Sequence, residues 1–108
     1  MINRPNTRNW DAKEMTDFAG GDRKIRVTGE VEVGNLGSEP RLGRAQIIVI
    51  RPDILPLELS IDAGGGATVM NYKTVEFEEA VSEDQYSLVI IHFEGQEIQQ
   101  IEVEKVIS

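Results

Sequence analysis

The chain contains no cysteine. That excludes disulfides, thiol nucleophiles and any zinc or iron–sulfur site built on thiolates, and it agrees with a reducing compartment. There is a single histidine, His92. A multi-histidine metal site therefore cannot form within one chain, and any Ser–His–Asp arrangement would depend on that one residue. Aromatics make up 6% of the residues, and Trp10, Tyr72 and Tyr86 are too scattered to suggest a flat platform for sugar rings. Apolar runs such as "IIVI" at 47–50 are strand-sized, far short of the roughly 20 residues of a spanning helix, so no membrane partner is expected. Basic residues are scarce, 11 against 19 acids, for a net charge of −8. A field of that sign repels phosphate backbones, which argues against nucleic-acid binding. The segment "MINRPNTRNW" is polar and has no secretory signal, so a cytoplasmic protein is the expectation.

What is present is one domain's worth of chain. The 108 residues, 40% hydrophobic, suffice for one core that buries about two thirds of the unfolded surface. The charge is segregated. Residues 23–51 hold six basic and three acidic residues, +3, whereas residues 52–108 hold two lysines and twelve acids, −10. Oppositely charged strands can relieve repulsion by lying side by side, and the same asymmetry can drive association with a partner or a second copy.

Residues 1–22 read as an arm with a short helix over 12–18. Asp11 suits an N-cap, Glu14 stands three residues later as in a capping box, Trp10 and Met15 occupy the staple positions, and Gly20 and Gly21 can end the helix. A helix of about two turns is marginal alone. Trp10, Met15 and Phe18 are its candidate anchors, to the body of the domain or to a partner protein.

From residue 23 the period becomes two. "KIRVTGEVEV" sets Ile25, Val27, Val31 and Val33 against Lys24, Arg26, Thr28, Glu30 and Glu32, with Gly29 on the apolar side marking a bulge or a close neighbour. "GNLGSEP" breaks the chain. "RAQIIVI" reads as a central strand. "ILPLELSID" alternates again, and Pro56, which cannot donate to a ladder, places its strand at an edge or after a bend. "GGG" at 64–66 is not followed by a helix or by the lysine of a phosphate loop, so it is a connection and not a cradle. "KTVEFEEAV" and the very apolar "QYSLVIIHF" give two more strands, and "EGQE" is a hairpin signal. In "IQQIEVEKVIS" the alternation slips twice, once near Gln99 and Gln100 and again before Val106, which predicts a bulge.

Six or seven strands with turns about every ten residues indicate a β-sandwich. The segment "EDQYSLVIIHF", an acid and then a tyrosine entering a penultimate strand, resembles the tyrosine corner of immunoglobulin-like sandwiches. The expected fold is thus all-β: an antiparallel immunoglobulin-like β-sandwich over 23–108, behind the helical arm.

A fold of this kind implies no function by itself. His92 lies inside an apolar strand, a position that suits packing better than catalysis. Most acids fall on outward strand positions. Glu78, Glu79, Glu83 and Asp84 crowd one turn, where calcium could be considered, but the spacing of a calcium loop is missing. The sequence supports a small non-catalytic interaction or accessory module, without cofactor or metal, that binds a partner protein or itself. A carbohydrate- or calcium-binding module and a small enzyme using His92 are the alternatives.

Overall fold

A computed structural model describes residues 4–16, 22–47, 51–81 and 86–107. In chain order the strands are β1 (Thr7–Thr16), β2 (Arg23–Val33), β3 (Glu39–Arg44), β4 (Ile54–Asp62), β5 (Asn71–Ala80), β6 (Leu88–Phe93), β7 (Gln96–Glu102) and β8 (Glu104–Ile107). They form two four-stranded sheets, β5-β2-β1-β8 and β3-β4-β6-β7. Both sheets are mixed: β1 and β8 are parallel, as are β4 and β6. The all-β class holds: among the described residues, 23–108 contribute seven strands and β1, in the segment expected to be a helical arm, makes an eighth, but each sheet contains a parallel pair and so is not purely antiparallel. Tyr86 accordingly enters the sixth of eight strands and not a penultimate one.

The alternation read in β2 is carried into the fold. Ile25, Val27 and Val31 are fully buried, and they share one hydrophobic cluster with Leu55, Leu57 and Leu59 of β4 and Val89 and Ile91 of β6. The two sheets thus contribute to one core, in a body only 18 Å thick along its shortest axis, about two stacked sheets with their side chains.

The helix expected over 12–18 does not form: residues 12–16 belong to β1, and Phe18, Gly20 and Gly21 lie outside the described residues. β1 sits between β2 and β8, where pairing on both sides outweighs a two-turn helix with a costly nucleus. Residues 8 to 11 carry a bulge. Asn9 and Trp10 together oppose Gly29, with Asn9 at φ 56°, a left-handed conformation that asparagine tolerates. A Cβ on Gly29 would overlap the Trp10 ring. The glycine in β2 is therefore the seat of the tryptophan, the close neighbour that its place on the apolar side implied.

Proline sets the limits of β3. Of the strand expected over "RAQIIVI", Arg44 closes β3, residues 45–47 are not in a strand and residues 48–50 lie outside the described residues, whereas Glu39 and Pro40, the end of the expected break "GNLGSEP", open β3, which pairs with β4. Ala45 donates to the Pro56 carbonyl at 3.1 Å. The N–H and C=O of a strand residue point the same way, so the donor that Pro56 lacks is the one that would have returned this bond, and the ladder stops there. Pro56 is thus in an interior strand, not at an edge, with its missing donor placed where the neighbouring strand ends.

The triple glycine turns out to be packed. Gly64 and Gly65 lie against Gly37, so closely that a Cβ on Gly37 or Gly64 would overlap backbone. Leu36 N–H also donates to Ala67 C=O at 3.1 Å. Between β6 and β7, Glu94 and Gly95 both have positive φ (50° and 80°), the two-residue turn that matches strand twist. The first slip is a bulge at Ile98, one residue before Gln99. The second is a change of sheet: after Val103, the strand that began in one sheet continues as β8 in the other. Among the described residues no helix is long and apolar enough to cross a membrane.

Candidate functional site

His92 projects from the outer face of its sheet, level with Glu58 on β4 and Glu97 on β7. It is half-buried, and neither its side chain nor that of Glu58 forms a hydrogen bond or ion pair with another described residue. The Glu97 carboxylate instead accepts from Gln100 at 2.9 Å. Beside this row a shallow cleft of about 610 Å³ opens over Gly43, where a Cβ would meet nothing, bounded by Arg41, Gln46, Ile47, Glu58 and Ser60. Arg41 is held by Asp62 at 2.6 Å. The lining is largely polar, unlike the enclosed apolar pockets that hold small molecules.

At one end of the core is a polar cluster that the sequence did not indicate. Glu14, expected at a helix start, faces inward from β1 beside Ile25 and its side chain is 1% exposed. Its Oε2 accepts from Lys105 Nζ at 2.9 Å and from Tyr86 N–H at 3.4 Å. Its Oε1 has no hydrogen-bond partner, with Arg23 Nε 3.9 Å away. Lys105 also donates to Tyr86 C=O at 2.6 Å. Close by, Arg44 donates twice to the Glu79 carboxylate and once to the Tyr86 hydroxyl, at 2.7 Å. These bonds tie β8 to β1 and β3 to β5. The signal missed was parity: Ala12 and Glu14 are two apart, as inward strand positions are.

Of the candidate anchors, Trp10 packs against the core and donates through its indole N–H to Thr7 at 2.9 Å. Met15 lies on the outer face of the sheet with Asp11, Lys13 and Arg26. Of the crowded acidic turn, Glu83 and Asp84 are outside the described residues. Glu78 and Glu79 point to opposite faces and pair with Lys24 and Arg44. Among the described residues no three His, Asp or Glu side chains converge on a metal position.

The four sheet edges differ in a way that matters for binding. β8 is four residues long. β7 is bent by its bulge, and its Glu97 carbonyl is taken by Arg4 Nη2 at 2.6 Å. In β3 the pairing of Ala45 with Pro56 fixes the parity: residues 41 and 43 face β4, while residues 40, 42 and 44 face outward. Pro40 therefore removes a donor from the open side. β5 is not short, bent or interrupted by proline, although β3 of the other sheet packs along its inner face, joined to it by Lys73 to Glu39 at 3.1 Å and by Arg44 to Glu79 at 2.9 Å. β5 runs ten residues in unbroken register with β2, and Val81 N–H donates to Arg23 C=O at 3.0 Å. That bond turns the N–H groups of Tyr72, Thr74, Glu76, Glu78 and Ala80 away from β2, and all but Tyr72 are exposed residues.

No protein-family model matches the chain, and no curated protein or solved structure matches it significantly.

Proposed function

We propose that the chain is a non-catalytic protein-interaction module, a β-sandwich that engages its partner through an open sheet edge. The observation that carries this reading is the contrast among the four edges: three are short, bent or blocked, and β5 is long and uninterrupted. Long unprotected edges promote pairing with other chains, and strand addition uses that tendency for recognition. The immunoglobulin-like comparison adds only the buried Tyr86 to the sandwich reading, and the cysteine-free composition favours a cytoplasmic setting.

The test is selection of random peptides on the whole intact chain, against an unrelated β-sandwich as control. The expected result is a set of extended sequences that compete with one another for the chain; no enrichment over the control overturns the module. Light scattering on a sizing column shows whether the partner is a second copy. The chain must be used whole, because removing residues 1–21 would delete β1, an interior strand.

A further inference from the structure

We infer that the β5 edge takes an extended segment with alternating basic residues in its first half and an apolar end, added antiparallel as a fifth strand. This rests on the module reading and specifies its partner. β5 presents Glu76 and Glu78 on its outer face, both exposed. On its paired side, β2 answers these carboxylates with Arg26 at 2.8 Å and Lys24 at 3.4 Å. A strand on the open side would meet the same two carboxylates at cross-strand distance, where opposite charges are favoured. β2 displays the required pattern, Lys24-Ile25-Arg26-Val27, with cations outward and apolar residues inward. Inward positions of an added strand would cover Phe77, which is half-buried.

The other end of the edge has a different chemistry. Three of the four exposed large hydrophobic residues among those described are Leu36, Val69 and Met70, at 51%, 46% and 65% exposure. Val69 and Met70 lead directly into β5. Leu36 is fastened beside them through its N–H to Ala67 and through its carbonyl to Lys73 Nζ at 2.8 Å. An antiparallel strand starts opposite Ala80 and ends opposite Met70, so it meets the acids first and the apolar group last. A second copy of β5 fits poorly. Paired antiparallel about Phe77, two copies would set Glu76 against the partner's Glu78 and Glu78 against the partner's Glu76, and paired about Glu76 they would bring the two Glu76 carboxylates together; like charges in those positions repel.

The probe is a fluorescein-labelled peptide, Thr-Val-Lys-Val-Arg-Val-Thr-Val-Thr-Val-Leu, titrated with the whole chain by anisotropy. Thr74→Pro removes one outward donor and leaves the β2 ladder intact, so the protein folds and binding weakens about fivefold or more. Glu78→Gln and Met70→Ser each weaken binding about two- to fivefold, the first losing its effect in high salt and the second keeping it. Far-ultraviolet circular dichroism confirms that each variant is folded. Equal binding by wild type and Thr74→Pro overturns the edge as the site but leaves the module reading standing, whereas failure of the peptide selection removes the module itself. No binding of this peptide by folded wild type, or equal binding of a version with glutamate in place of its lysine and arginine, overturns the basic partner.

Discussion

Glu14 is the one charged side chain buried among the described residues, and its charge is answered chiefly by Lys105. Removing one partner of such a pair leaves a charge without compensation, which costs more than the pair contributes. Lys105 is 42% exposed at its side chain, so solvent softens the effect. Lys105→Met should lower stability by about 2 kcal/mol, and the double variant Lys105→Met with Glu14→Leu should recover at least half of that loss in denaturant titrations. Asp53 is a second residue-scale feature. Hydrogen bonds from Arg51, and then from the Ser87 hydroxyl, hold its carboxyl well below the usual carboxylate range. A depressed pKa contributes stability that is complete above the unfolded value, about 3.9, and is lost as pH falls through the folded one. Asp53→Asn should therefore melt below wild type at pH 7, and the gap should narrow between about pH 4 and pH 2. A gap that stays constant with pH would mean that the Asp53 charge contributes nothing.

At the scale of elements, the glycines show how one residue type serves opposite ends. Gly64 touches the Gly37 backbone, and Gly43 has open space where a side chain would stand. Gly64→Ala should destabilise by about 1–3 kcal/mol by forcing the two connections apart, whereas Gly43→Ala, in a strand, should fall within about 0.5 kcal/mol of wild type or stabilise it. Thermal melting of the two variants checks both signs. Strands with clean alternation, such as β2 and β4, were legible because one face is solvated and the other buried. β1 was not, because its inward positions are Trp10, Ala12 and Glu14, one displaced by a bulge and one charged, while the local signals at Asp11 and Glu14 imitate a helix cap. β3 was hidden by Pro40 and Gly43, residues that mark breaks when read locally and are tolerated here because the strand is an edge.

At the scale of the whole molecule, the −8 charge and its concentration beyond residue 52 bear on association. Attraction of a basic partner should fall as salt rises from about 0.05 to 0.5 M, because the screening length shrinks severalfold. Self-association indifferent to salt would indicate an apolar contact instead, and light scattering at the two salt levels separates these outcomes. Composition and alternation determined the all-β class, the absence of thiol and multi-histidine chemistry and most of the inward residues, because these depend only on residue type and on a period of two. The tertiary structure decided the order of the strands, the parallel pairs, the burial of Glu14 and which strands stand at the sheet edges. Those depend on which distant segments meet, and Lys105 reaches Glu14 across a separation of 91 residues, a contact that no local pattern encodes.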